Sequence, residues 1–195
     1  MGTPTAHAQG VVLTLVWSNE LEFYTSRTNN AFVAGGLLHI HAQIENTNTI
    51  SRSVTNTYRY TSDRLKTQGL FNTLYGRVEW RAKLPAGTGM WPALWMMGSN
   101  SVSVPWPGCG EIDVVENDGS DIFFVQGSIP SGTDATQIFK FTGGDSVTNC
   151  HVYDLDWTSN SITWSVDNVA YETQTSWVAP RRTLIHTPST SRFIC

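Results

Sequence analysis

Apolar and polar positions alternate along much of the chain, and this period predicts β-strands. Residues 75–84 divide into an apolar face and a mostly charged face: Gly76, Val78, Trp80, Ala82 and Leu84 against Tyr75, Arg77, Glu79, Arg81 and Lys83. Residues 38–45 and 161–167 alternate in the same way. A period of two is typical of antiparallel strands that bury one face.

Turn-rich segments separate the predicted strands. Asp167 and Asn168 lie between two alternating stretches and suit a two-residue hairpin, because both residue types tolerate positive φ. Many short strands joined by turns, with no long amphipathic helix, predict an all-β chain with a β-sandwich or jelly-roll architecture. The alternation fails in residues 178–195, so no strand is expected there.

The most informative stretch is the acidic segment 110–116, GEIDVVE. On a regular strand Glu111 and Asp113 share a face, whereas Glu116 points to the opposite face. A β-bulge around residues 114–115 would return Glu116 to the first face, and bulges are common beside active sites. We therefore expect three carboxylates along one surface of a strand.

This spacing suits general acid–base chemistry. With the bulge, the Cα atoms of Glu111 and Glu116 are about 13 Å apart, and two long side chains can close the gap to about 5 Å. A retaining glycosidase needs its two carboxyl groups about 5 Å apart. Asp113 can hydrogen-bond one Glu, and crowding of three acids should raise one pKa. The alternative is a solvated or calcium-binding acidic strand, although the segment lacks the Asp-x-Asp-x-Asp-Gly pattern of a calcium loop.

Tryptophan is abundant, with 8 in the chain, and three of them lie near the acidic segment. Trp91 and Trp95 share a face at period two, and Trp106 comes just before the acids. A flat indole ring suits the apolar C–H face of a sugar, which makes these residues candidates for substrate binding; burial in the core is the alternative. Trp177 stays undecided, and the patterns around the other four favour the core: Trp17, Trp80, Trp157 and Trp164.

The length, net charge and cysteine content of the chain exclude several classes of function. The 195 residues suit one domain, and 12 Lys and Arg against 16 Asp and Glu give a net charge of −4. This charge does not indicate a nucleic-acid partner, and no apolar run is long enough for a transmembrane helix. An odd number of cysteines (Cys109, Cys150 and Cys195) leaves at least one thiol without an internal partner. Their spacing matches no metal site, so neither a metal nor another cofactor is predicted.

Taken together, several segments resemble glycoside hydrolase family 16. The matching segments are YGRVEWRAKLPAG at 75–87, GMWPALWM at 89–96 and GEIDVVE at 110–116, with further similarity at 19–25 and 151–157. The Glu-x-Asp-x-x-Glu spacing is most similar to that of the endo-β-1,3-glucanases, or laminarinases, within the family. The similarity runs from about Trp17 to Trp177.

The resemblance implies a jelly-roll β-sandwich with a concave substrate cleft and retaining endo-hydrolysis of β-1,3-glucan. It assigns Glu111 as the nucleophile, Asp113 as its helper and Glu116 as the acid/base. We expect a monomer whose partner is this polysaccharide, with no membrane or nucleic-acid partner. The family is secreted, although residues 1–16 lack the basic region and cleavage site of a signal peptide.

The resemblance also implies substrate contacts. It places Trp91 and Trp95 on the donor side of the cleft. Arg64 matches an arginine that the family places near bound sugar, and a surface salt bridge is the alternative for this residue.

The chain departs from the family pattern at three places. Pro130 stands where the family usually carries a histidine after the acidic strand. Neither the family's opening segment nor its closing strands are recognisable, which predicts an incomplete sandwich without the family's calcium site. We therefore divide the chain into a divergent lead (1–16), a family 16-like catalytic domain (17–177) and a divergent tail (178–195).

Two other functions stay open. The first is a non-catalytic β-glucan-binding or inactive truncated relative; such binding proteins typically lose the catalytic acids, which this chain retains. The second is a hydrolase of another glycan, namely agar, carrageenan or mixed-linkage glucan. The bulged spacing disfavours the lichenase type of mixed-linkage enzyme, whose acidic motif is shorter.

Overall fold

A computed structural model describes residues 21–51, 54–130, 135–177 and 183–186. Regular structure in these residues consists of strands alone: β1 (Glu22–Tyr24), β2 (Ala31–Ala34), β3 (Leu37–Ile40), β4 (Gln43–Ser51), β5 (Val54–Ser62), β6 (Asn72–Thr73), β7 (Gly76–Ala82), β8 (Ala93–Gly98), β9 (Glu111–Glu116), β10 (Phe124–Ile129), β11 (Ala135–Lys140), β12 (His151–Trp157), β13 (Ile162–Val166), β14 (Val169–Gln174) and β15 (Thr183–His186). Within the same stretches, no helix is long and apolar enough to cross a membrane.

Two antiparallel sheets face each other as a sandwich. The larger has the strand order β11-β10-β9-β8-β15-β6, and the smaller has the order β14-β13-β12-β7. The chain crosses between them from β6 to β7, from β7 to β8, from β11 to β12 and from β14 to β15. A three-stranded sheet, β1-β5-β4, and the β2–β3 hairpin account for the other described strands. The predicted all-β jelly-roll sandwich is confirmed.

One hydrophobic core lies between the two sheets. Alternate residues of the central strands supply it, among them Met96 and Ile112 from the larger sheet and Leu155 and Trp164 from the smaller. Full burial of a side chain of this size is worth about 1.5–3 kcal/mol. Because the core takes one face of β8, β9 and β10, the other face of these strands is left for the polar residues.

The core tryptophans were assigned correctly from the pattern. Trp80, Trp157 and Trp164 are buried, with exposed fractions of 7%, 2% and 1%. Trp177 is half-buried and packs against the same core. Trp17 lies outside the described residues.

The predicted hairpin is present between β13 and β14. Asp167 and Asn168 have φ values of 51° and 65°, and Val166 pairs with Val169 across the turn. Two consecutive residues with positive φ match the twist of the flanking strands, which is why this turn closes a tight hairpin.

Two predictions about strands were wrong. Residues 38–45 do not form one strand, because β3 ends at Ile40 and the chain turns toward Asn30. The His41 N–H donates to the Asn30 carbonyl at 2.7 Å, and the Asn30 amide donates to the His41 carbonyl at 3.0 Å. The tail also contains a strand: β15 lies between β8 and β6. Residues 183–186 form a strand because they pair with two neighbouring strands. The pattern of apolar and polar residues within the segment does not reveal this pairing.

Candidate active site

The acidic segment forms β9, in the middle of the six-stranded sheet. Ala93 of β8 pairs with Glu116, and Trp95 pairs with Asp113, so two steps on β8 match three on β9. The unpaired residue is Val114, which lies in the core. The bulge expected from the spacing is therefore present, and it returns Glu116 to the face that carries Asp113.

Glu111 is a half-buried carboxylate at the start of β9. The indole Nε1–H of Trp106 donates to Glu111 Oε2 at 2.6 Å. Burial raises the pKa of Glu111 to about 7; the Trp106 hydrogen bond opposes this rise, and the charge of Glu116 adds to it. Glu111 therefore changes its charge close to neutral pH.

Asp113 is the most buried of the three acids, with 5% of its surface exposed. Burial raises its pKa well above the ordinary range, and the charges of Glu116 and Glu111 raise it further. The Ser128 hydroxyl donates to Asp113 Oδ2 at 2.6 Å and acts in the opposite direction. Burial and the two neighbouring acids therefore favour the protonated form of Asp113 over its charged form.

Glu116 accepts hydrogen bonds on both of its oxygens. The indole Nε1–H of Trp91 donates to Oε1 at 3.0 Å, and the side-chain amide of Gln126 donates to Oε2 at 3.3 Å. The first donor comes from the loop before β8 and the second from β10. Two elements on different sides therefore hold this carboxylate.

The three tryptophans near the acids occupy different environments. Trp91 is 47% exposed and Trp106 is 39% exposed, which excludes the core alternative for both. Trp95 is half-buried on β8, directly across from Asp113. Flat apolar rings beside the carboxylates are the arrangement that stacking on a sugar requires.

Arg64 lies after β5, at a distance along the chain from the acids. Its guanidinium carbon lies 4.8 Å from the centroid of the Tyr24 ring, within the range of a cation–π contact. In the residues that the structure describes, Arg64 forms no salt bridge, and no hydrogen bond joins it to the three acids. The structure thus brings the tryptophans to the carboxylates and leaves Arg64 on the Tyr24 ring.

Two polar residues of this site were missed in the sequence. Gln126 and Ser128 lie on β10, whose alternate residues Val125 and Ile129 face the core. The alternation of apolar and polar residues just after the acidic strand could have revealed them. A strand that follows closely pairs with the acidic strand and turns one of its faces toward the acids. What the sequence did not provide was the register that joins each residue to one acid.

No metal centre is visible among the described residues, where no group of three His, Cys, Asp or Glu side chains is arranged around a common point. The terminal segments that the family uses for calcium lie mostly outside those residues. Cys109, just before β9, is a free and buried thiol, and burial raises its pKa.

The chain belongs to glycosyl hydrolase family 16. The model of that family, described as Glycosyl hydrolases family 16, matches residues 27–190. Among solved structures, the catalytic domain of an endo-1,3-beta-glucanase (laminarinase) from Thermotoga petrophila RKU-1 superimposes with a TM-score of 0.78. That match has 35% sequence identity and covers 87% of this chain and 71% of the other.

Two curated relatives carry names of glucan hydrolases. Glucan endo-1,3-beta-glucosidase A1 of Niallia circulans is 36% identical over 159 residues, which cover 77% of this chain and 23% of the relative. Beta-glucanase of Rhodothermus marinus is 38% identical over 164 residues, which cover 80% of this chain and 54% of the relative. The chain therefore spans about half or less of the length of these relatives.

Proposed function

We propose that this chain is a retaining endo-hydrolase of β-1,3-glucan. The observation that carries the proposal is the bulged strand β9, which gathers Glu111, Asp113 and Glu116 on one face. Membership of family 16 and the names of the relatives support the same reaction and the same linkage. A net charge of −4 with only 14% charged residues is consistent with a neutral polysaccharide as substrate.

The three acids divide the chemistry among them. Glu111 attacks the anomeric carbon and forms a glycosyl ester, while Glu116 gives a proton to the departing glycosidic oxygen. Glu116 then takes a proton from water, which breaks the ester and restores both groups. Asp113 assists the two glutamates, and its burial beside them disfavours its charged form. A raised pKa of Asp113 limits the negative charge that accumulates on the three adjacent acids.

Aromatic rings and one arginine account for binding. Trp91, Trp95 and Trp106 offer flat apolar surfaces beside the acids, and a β-linked glucose ring presents matching C–H faces. Arg64, held on the Tyr24 ring, offers guanidinium donors to sugar hydroxyls. Substrate placement by these residues supplies the orientation that the two-step displacement needs.

Laminarin hydrolysis tests the proposal directly. The folded chain should release reducing ends from laminarin, and early products followed by proton NMR should keep the β configuration. Glu111→Gln and Glu116→Gln should each lower the rate by at least about 100-fold, the scale of acid–base and nucleophilic groups. A folded wild-type chain that binds insoluble β-glucan without cleaving it would support a binding protein instead. Products of α configuration would overturn retention.

A further inference from the structure

Strand β10 supplies one polar partner for each of two acids on β9. Gln126 pairs with Glu116 and Ser128 pairs with Asp113, and each polar residue also donates to the carboxylate of its own partner. The bulge makes this possible, because two steps on β10 match three on β9. Glu116 and Asp113 are therefore each held by a side chain from the neighbouring strand β10.

We propose that Gln126 is a positioning residue that holds Glu116 in both of its protonation states, an assignment that rests on the proposed retaining hydrolysis. In that reaction Glu116 acts first as an acid and then as a base. Its carboxyl group must keep one place while its proton leaves and returns. A partner that can hydrogen-bond only the ionised or only the protonated form would lose its hydrogen bond to Glu116 when the proton moves.

The two partners of Glu116 differ in this respect. An indole N–H, such as that of Trp91, donates and has no acceptor atom. A side-chain amide has an N–H₂ group that donates to a carboxylate and a carbonyl oxygen that accepts from a carboxylic acid. Rotation of the amide about its last bond exchanges the two. Of the two partners, Gln126 is therefore the one that can hydrogen-bond Glu116 in both its ionised and its protonated form.

The position of Gln126 fits this role. It is half-buried on an interior strand of the sheet, with β9 on one side and β11 on the other. Among the described residues of β9 to β11, the same face also carries Glu111, Asp113 and Lys140, and neither acid hydrogen-bonds Gln126. Gln126 is therefore placed to act on Glu116 through one oxygen, Oε2.

Two substrates whose leaving groups differ in their need for a proton can separate a positioning role of Gln126 from a merely structural one. Gln126→Met keeps the size of the side chain and removes both hydrogen-bonding groups. On laminarin, whose leaving group needs a proton, kcat/KM should fall about 10- to 100-fold. On 2,4-dinitrophenyl β-laminaribioside, whose leaving group needs none, kcat/KM should change less than about 2-fold, because ester formation then needs no acid.

Azide tests the base half of the cycle. With the dinitrophenyl substrate, kcat of Gln126→Met should fall because Glu116 must take a proton from water. Azide attacks the anomeric carbon without losing a proton; the C–N bond forms as the ester bond to Glu111 breaks. Added azide should therefore restore kcat and give a β-glycosyl azide.

Controls make the outcomes distinct. Gln137→Met on β11 changes the same residue type at an exposed position that faces away from Glu116, and it should leave both substrates unaffected. Equal losses on both substrates, or no loss on laminarin, would overturn the role of Gln126 while leaving hydrolysis intact. A folded wild-type chain without turnover on either substrate would overturn the hydrolysis itself, and this assignment with it.

Discussion

The indole N–H of Trp106 donates to Oε2 of Glu111 across 2.6 Å. Burial raises the pKa of Glu111 to about 7, and this hydrogen bond is what opposes the rise, since it stabilises the charged form. Glu111 must be ionised to act as a nucleophile. Trp106 therefore helps to decide the lowest pH at which the proposed reaction runs.

Trp106→Phe keeps a ring and removes the donor. The pKa of Glu111 should rise above its present value of about 7, so the acid limb of the kcat/KM profile should move to higher pH. One lost hydrogen bond to a charged group is worth about 1.5–3 kcal/mol, or a shift of about 1–2 pH units. The measurement is laminarin hydrolysis from pH 4 to 9. Trp177→Phe is the matched control, because the Trp177 N–H has no hydrogen-bond partner among the described residues.

Glu111→Gln should stabilise the fold while it abolishes activity. The pKa of Glu111 is about 7 in the folded chain against an ordinary value of 4.5 in the unfolded chain, so the folded state holds the proton more tightly. The stabilisation from the neutral group is complete below pH 4.5 and is lost as pH rises through 7. Relative to wild type, the variant should therefore gain about 1–3 kcal/mol at pH 8 and almost nothing at pH 4.

Chemical unfolding at the two pH values measures this gain. Glu79→Gln is the control, since Glu79 is exposed and pairs with Arg77 at 3.4 Å, so its loss should bring no gain at pH 8. A variant Glu111→Gln that is no more stable than wild type at pH 8 would show that Glu111 is not desolvated as described.

Gly127→Ala should destabilise the chain for steric reasons. A Cβ atom at this position would lie 2.4 Å from Cδ1 and 2.6 Å from Nε1 of Trp164, and 2.8 Å from the Tyr171 hydroxyl. The Trp164 indole is fixed in place, because it is buried and donates to the Asp113 carbonyl at 2.8 Å. Overpacking of this kind costs about 1–3 kcal/mol, which urea unfolding should detect. In a Trp164→Phe background the same change should cost less, because the smaller ring leaves room.

Two substitutions at Trp91 should separate binding from chemistry. Trp91→Phe keeps a stacking ring and removes the N–H that donates to Glu116 at 3.0 Å, so it should mainly lower kcat. Trp91→Ala removes both and should also raise KM on laminari-oligosaccharides by about 10-fold, the equivalent of 1.4 kcal/mol. If both variants raised KM equally with kcat unchanged, the hydrogen bond to Glu116 would have no part in the reaction.

Local properties of the sequence determined much of this fold. The period of two in residues 75–84 became β7, and the tolerance of Asp167 and Asn168 for positive φ became a hairpin. The spacing of Glu111, Asp113 and Glu116 predicted the bulge, because three acids share a strand face only if one residue is inserted between them. Each of these depends on neighbours along the chain.

Only the tertiary structure decided the environment of each acid. Trp106, Ser128 and Gln126 reach their carboxylates from a loop and a neighbouring strand, and pairing register selects which acid each one contacts. The raised pKa values of Glu111 and Asp113 come mainly from burial, which the packed sheet creates. The position of β15 was decided in the same way, by hydrogen bonds to β8 and β6. Sequence spacing placed the acids on one face, whereas desolvation and cross-strand contacts depend on residues distant in the chain.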